Sequence, residues 1–386
     1  LPGDGQERGL VFPESRRSCG AGGLRPGAPL GPAPTAQAPV RPSSGRGRNP
    51  LAGAVLCMLE AQLDDGAIPW FEGGPWDPWN HGECVMALGV AGEWSAVRAG
   101  LDCLAERQGP DGAWLGEYGN MLPMADRLHM AREPAPVFRD TNFAAYCAVV
   151  LWHAWRLSGD LQLVRRHWPM VARAIDFVVA QQHGPGDISW CGEAHGGEAD
   201  DAVRAGCGSI HKSLDCALRL ARLMEEPRPA WARARQALAH ALRERPERFD
   251  RTTDRSAFAM DWYYPVLGGA ISGPAARARI EAGWAAFVEP GVGCRCVKDQ
   301  PWATVAETCE LALTLISLGR RSEAADLLAW QDAHRDASGA YWMGWQFAEG
   351  IIWPEERPTW TQAAAILAHD ALYDLSSAAD VLVAHR

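Results

Sequence analysis

The stretch Gln108-Gly109-Pro110-Asp111-Gly112-Ala113-Trp114 decides how this chain reads, because it recurs. It returns as Gln62-Leu63-Asp64-Asp65-Gly66-Ala67-Ile68-Pro69-Trp70 and as Gln182-His183-Gly184-Pro185-Gly186-Asp187-Ile188-Ser189-Trp190, and more weakly as Asp336-Ala337-Ser338-Gly339-Ala340-Tyr341-Trp342. The pattern describes a C-capping turn: a helix ends on Gln, Asp and Gly make the reversal, and Trp packs back on the hairpin. Two kinds of helix alternate around these turns. One is amphipathic, as in 230–244, where Arg233, Gln236, His240, Arg243 and Glu244 fall on one face and Trp231, Ala234, Leu238 and Leu242 on the other. The other is nearly uncharged, as from Phe143 to Trp155, and a helix apolar all round must be buried on every side.

Poorly charged helices start near Asn80, Thr141, Ser209, Trp262, Thr304 and Thr361, each preceded by an amphipathic helix near 51, 94, 163, 228, 274 and 321. Alternating β-branched stretches are almost absent. A helical hairpin cannot hide both of its faces alone, and six in series close most economically into a ring. The expected fold is therefore all-α, an (α/α)6 toroid or barrel of six helical hairpins over residues 51–386. Residues 1–50 are dominated by Gly, Pro, Arg and Ser and read as a disordered tail.

Composition narrows the function. Lys+Arg 37 against Asp+Glu 47 leaves a net charge of -10, which argues against nucleic-acid binding. Trp outnumbers Tyr by 18 to 6, so the aromatic content lies in the largest apolar ring. The 11 Cys include Cys57, Cys84, Cys103, Cys147, Cys216 and Cys309 on apolar helical stretches, without CxxC spacing. They read as reduced thiols of a cytoplasmic protein. The Cys294-Arg295-Cys296 pair is too close for a metal knuckle. No apolar run is long enough to span a membrane, which leaves room only for peripheral contact.

In a helical toroid the loops that open the inner helices form the mouth, so polar side chains there are candidates for chemistry. In Trp76-Asp77-Pro78-Trp79-Asn80-His81-Gly82-Glu83, Asp77 fits an N-cap and Pro78 the first turn. Asp77, His81 and Glu83 are candidate catalytic groups, with Trp76, Trp79 and Asn80 beside the substrate. Asp140, in Arg139-Asp140-Thr141-Asn142, suits an N-cap, a partner of Arg139 or a catalyst. His211 and Lys212 are placed to grip an anionic group. Later clusters carry the candidate acids Asp261, Glu307, Glu355 and Glu356 among Trp262, Tyr263, Trp302, Trp345 and Trp360, which are expected to line the pocket. Aromatic faces stabilise a cation. The same rings stack on sugars, and a glycosidase needs two carboxylates flanking its bond.

The Gln-x-x-Asp-Gly-x-Trp turn followed by an inner helix resembles the QW repeat of the terpene cyclase and protein prenyltransferase superfamily, whose members are α/α toroids; the likeness covers residues 51–376. It implies an isoprenoid substrate, an aromatic cavity shielding a reactive intermediate, and mouth carboxylates acting on a proton or cation. The Asp-x-Asp-Asp-Thr acid motif of triterpene cyclases aligns on Asp140-Thr141 only with Val137 and Arg139 at its first and third positions, so the protonating acid is missing. Mg²⁺ and Zn²⁺ both stay open as cofactors, with no motif that establishes either and no spacing that singles out a metal site. The stretch from Asp140-Thr141 through Trp168-Pro169 and Ala174-Ile175-Asp176-Phe177 to Ile188-Ser189-Trp190 resembles a second group, the six-hairpin glycosidases. That likeness implies a carbohydrate substrate, with Glu355 or Glu356 and Asp261 or Glu307 as acid and base. The leading expectation is thus a prenyltransferase or terpene-cyclase-like enzyme on an isoprenoid. The alternatives are a carbohydrate-active enzyme and a non-catalytic toroid that binds lipid or glycan.

Overall fold

In the computed structural model, helices alternate between an outer and an inner layer along the described residues. Residues 51–119, 139–192 and 201–383 are described; the stretch 1–50, expected to be a tail, lies outside them. The outer helices are α1 (Ala52–Ala61), α3 (Trp94–Arg107), α5 (Leu161–Ala180), α7 (Pro229–Glu244), α9 (Gly273–Phe287) and α11 (Arg321–Gln331). The inner helices are α2 (Pro78–Val90), α4 (Thr141–Ser158), α6 (Arg204–Leu223), α8 (Ala259–Leu267), α10 (Val305–Ser317) and α12 (Thr359–Tyr373). Each inner helix packs on the next, and α12 returns to α2, so the ring closes. The toroid expected from the sequence is the fold. Inner helices are mostly buried, as their sparse charge allows: α4, with Arg156 as its one charged residue, buries Ala144, Ala145, Val149, Val150 and Leu151. Outer helices bury one stripe, which in α7 includes Trp231, Ala234, Leu238 and Leu242.

The recurring turn proves to be a lock between neighbouring outer helices. Gln108 caps α3, and its amide donates to Gly112 O at 2.8 Å within the loop and to Met170 O at 2.8 Å on α5. Gln62 does the same towards Gly66 and Ala96, and Gln182 towards Gly186 and Ala234. Gly112 has φ +92, and a Cβ there would sit 2.4 Å from Arg173 O, so only glycine lets the loop touch α5. Gly112→Ala is therefore expected to destabilise the protein by about 1–3 kcal/mol, read as a lower urea midpoint with unchanged slope. An unchanged midpoint would show that the loop does not bear on the ring.

Short strands were not visible in the sequence. Besides the pair β1 (Arg139–Asp140) and β2 (Cys191–Gly192), a five-stranded antiparallel sheet forms from β3 (Val288–Glu289), β4 (Gly293–Arg295), β5 (Trp302–Thr304), β6 (Gly344–Gln346) and β7 (Ile351–Ile352). Two or three residues are too few for alternation to register, and the strands come from two separate loops. The sheet matters because β5 runs straight into α10, at the mouth. Among the described residues no helix is long and apolar enough to cross a membrane.

Candidate active site

Every inner helix turns the same positions towards the lumen. The sixth residues of α2, α4, α6, α8, α10 and α12 are Glu83, Tyr146, Ser209, Tyr264, Glu310 and Ala364, and these six line one central cavity. Lys212, Leu267, Leu313, Leu367 and Leu382 line its deeper end. One helical turn the other way, at the mouth, the same stripe carries Trp79, Asn142, Ala205, Met260, Ala306 and Trp360.

The cavity holds two carboxyl groups. Glu310 accepts hydrogen bonds from the hydroxyls of both Tyr263 and Tyr264, and Glu83 accepts one from Tyr146 at 3.3 Å. Burial pushes Glu310 up to about 7, against the pull of the two tyrosines. Burial, and next the charge of Glu310, push Glu83 well above the carboxylate range, so Glu83 is the protonated member at neutral pH. Burial lowers the pKa of Lys212, whose Nζ donates to Val381 O at 3.2 Å.

At the mouth, Asp77 caps α2 as expected. Its Oδ1 accepts from Trp79 N and Asn80 N at 2.8 and 2.9 Å, and its Oδ2 from Trp70 Nε1 and Asn80 Nδ2 at 2.7 and 2.6 Å. Burial pushes this carboxyl up while those four donors pull it down. Asp77 thereby orients Asn80 and Trp70, and Trp70 in turn meets Trp360 edge-on at 5.8 Å. Asp140 caps α4 through Oδ1, which accepts from Phe143 N at 3.0 Å. Burial raises Asp140 to about 7 against its backbone hydrogen bonds, and nearby Asp77 adds to the rise. Arg139 does not pair with it; its Nε lies 2.5 Å from Asp111 Oδ2. Glu307, in the first turn of α10, is half-buried and accepts from Thr304 Oγ1. Asn142 Oδ1 is buried without a hydrogen-bond partner.

Several expected site residues are held elsewhere. Both ring nitrogens of His81 engage backbone: Nδ1 accepts from Ile68 N at 3.1 Å and Nε2 donates to Gly100 O at 3.0 Å. Burial lowers its pKa to about 4, so it stays neutral and structural. His211 is likewise buried, tied to Gly268 O at 2.8 Å and lowered to about 4. Trp76 stacks on Tyr118 at 4.5 Å within the core. Trp262 faces outward, stacked on Phe287 of α9 at 5.1 Å, because hairpin packing needs a large ring there. Trp302 is buried and donates to Trp353 O at 2.6 Å, while Trp345 is half-buried on β6 beside His334. Asp261 accepts from Ala205 N at 3.3 Å and lies with Asp250 about Arg204. Burial and the Asp250 charge push Asp261 up, and its contacts with Ala205 N and Arg204 join α6 to α8. Glu355 is exposed and Glu356 half-buried in the loop before α12. The structure thus brings Asp77, Asn80, Trp79 and Asp140 together, and sets Asp261 apart in its own network. Among the described residues no three metal-ligating side chains converge.

No protein-family model matches the chain. Solved structures share its architecture. A wild-type glycosidase superposes with a TM-score of 0.62 at 12% identity, over 85% of this chain and 96% of that one. The GH63 mannosylglycerate hydrolase from Thermus thermophilus, in complex with Tris and D-glycerate, superposes with a TM-score of 0.61 at 12% identity, over 82% and 99%. The fold is that of the toroidal glycosidases. In sequence the chain is 46% identical, over 315 residues, to the MMP endo-(1,4)-3-O-methyl-α-D-mannosidase of Mycolicibacterium hassiacum, a match covering 82% of this chain and 84% of that protein. The chain belongs to that mannosidase's family, and it is an enzyme of the glycoside hydrolase type.

This overturns the expectation of a prenyltransferase or terpene cyclase, and with it the isoprenoid substrate. The reason is physical. The Gln-Asp-Gly-Trp turn ties one outer helix to the next, on the outside of the toroid. It reports how a ring of hairpins is held together and carries nothing about the chemistry at the mouth.

Proposed function

We propose that the chain hydrolyses α-mannosidic bonds in an O-methylated mannose polymer, with Asp140 as general acid and Glu307 as the second carboxylate. The observation that carries this reading is the 46% identity, over most of both chains, to a mannosidase of that description. The mouth supports it. Hydrolysis needs one carboxyl protonated at working pH and one on the other side of the bond. Asp140, raised to about 7 at the N-terminus of α4, meets the first need. Glu307 opens α10, the third inner helix from α4 in either direction and so on the facing wall. The Asp140 proton goes to the glycosidic oxygen as the C–O bond breaks, while Glu307, on the opposite face of the sugar, takes a proton from the water whose oxygen forms the new bond to the anomeric carbon. The half-buried rings of Trp79, Phe143 and Trp360 offer apolar faces to C–H and O-methyl groups.

The experiment is incubation with α-(1,4)-linked 3-O-methyl-D-mannose oligosaccharides, following new reducing ends. Wild type is expected to release them, and Glu307→Gln to lose at least about a hundredfold in kcat. No release from these or any other α-mannoside would refute the reading.

A further inference from the structure

The Trp79 side chain crosses the lumen. Its ring lies 6.0 Å from Phe143 and 5.9 Å from Tyr146 on the adjoining α4, and 5.8 Å from Tyr264 on α8, edge-on at 81°. α8 is the third inner helix from α2 whichever way the ring is followed, so Trp79 and Tyr264 meet from opposite walls. Trp79 is partly buried, whereas Tyr264 and the cavity residues Glu83, Ser209 and Glu310 are buried. Burial raises both Glu83 and Tyr146, and the indole N–H lies close enough to each to offset a small part of that rise, outside strict hydrogen-bond geometry. At the other end the C-terminal segment shuts the lumen. Lys212 holds Val381, Leu382 lines the cavity, and Arg156 exchanges hydrogen bonds with Ser377 and pairs with Asp380 at 2.9 Å.

A sugar unit therefore has no path down the toroid past the indole. Below it lie groups that suit sugar hydroxyls: two carboxyls, and the buried Ser209 Oγ, which has no hydrogen-bond partner. We infer that Trp79 determines where the polymer is cut: it floors the cleft, so the chain lies across the mouth over the indole and is cleaved at internal bonds instead of entering end-first. This rests on the mannosidase reading above. Without the indole, the space above Tyr146, Tyr264 and the small cavity would open to the mouth, deepening the cleft on the side where a terminal unit could turn in.

The test compares an α-(1,4)-linked 3-O-methylmannan oligosaccharide with the same chain blocked at its non-reducing end by a bulky group and at its reducing end by reduction to the labelled alditol. Wild type is expected to cut both at rates within about twofold and to give internal fragments first. Trp79→Ala, with wild-type circular dichroism, is expected to release at least about tenfold more single terminal units from the open chain and none from the blocked one. Trp79→Leu, which keeps more of the packing, should shift the products the same way if the alanine variant fails to fold. The inference is overturned if wild type refuses the blocked chain, or if a folded Trp79 variant yields the wild-type fragment pattern. If wild type cuts open chains of this and other α-mannosides at no bond, the mannosidase reading falls and takes this one with it.

Discussion

Asp140→Asn is expected to reduce kcat by about a thousandfold while leaving the protein folded. Asparagine caps a helix as well as aspartate does, so the amide oxygen can still accept from Phe143 N, and α4 starts where it did. What it cannot do is give a proton to a leaving oxygen. The pH profile provides a second reading. With the carboxyl at about 7, wild-type kcat/KM should fall as pH rises through that value, because the acid form is lost. The sign for stability runs the other way from a salt-bridged acid. A carboxyl raised in the folded state binds its proton more tightly there than in the unfolded chain. It therefore costs stability as pH rises from about 4 to about 7. The asparagine variant escapes that cost and should be at least as stable as wild type at pH 8. A variant that keeps its rate, or loses rate and stability together, would remove Asp140 from the chemistry.

The sequence allowed the ring to be read and left its contents largely hidden, for reasons seen in particular residues. Six poorly charged helices starting near Asn80, Thr141, Ser209, Trp262, Thr304 and Thr361 could be found because a helix buried on most of its surface has room for few charged side chains. Asp77 and Asp140 were legible as caps because a cap is local. Glu310, Tyr146 and Tyr264 were not singled out as site residues, although each lies three or four residues past a mouth position, at Glu307, Asn142 and Met260. That spacing is the signal that could have found them. His81 and His211 looked reactive beside carboxylates and a lysine, yet what fixes their state is the carbonyl oxygens of Gly100 and Gly268, at chain separations of 19 and 57 residues. Trp262 differs from Trp79 only in which way a helix faces. One lies on the α9 side and the other in the lumen, and neither composition nor a short motif records that. Substrate class stayed hidden longest, since one turn motif serves toroids of different chemistry.

Asp187→Ala is expected to cost about 3 kcal/mol of stability, the largest loss anticipated from a single side chain outside the mouth. The carboxylate is fully buried in the third copy of the recurring turn. Arg248 grips it with two parallel bonds, Nε to Oδ1 at 2.9 Å and NH2 to Oδ2 at 3.0 Å, and His183 adds a third at 2.8 Å. Such a two-pronged pair is stronger and more directional than a single ion contact. It joins the loop after α5 to the turn that follows α7, so its loss loosens two hairpins at once. The Arg248 side chain is 25% exposed, so water can take up part of its charge when Asp187 is gone, which holds the expected cost near the lower end for a broken buried pair. Burial alone would raise the Asp187 pKa; the hydrogen bonds from Arg248 and His183 outweigh it and leave the group below its ordinary value. A depressed carboxyl stabilises the fold above its unfolded pKa, near 4, and loses that contribution as pH falls through the lower folded value. The gap in unfolding free energy between wild type and Asp187→Ala, measured in urea, should therefore hold steady from pH 5 to 8 and narrow below about 4. A gap that persists undiminished at pH 3 would mean that packing, and not the ion pair, is what Asp187 contributes.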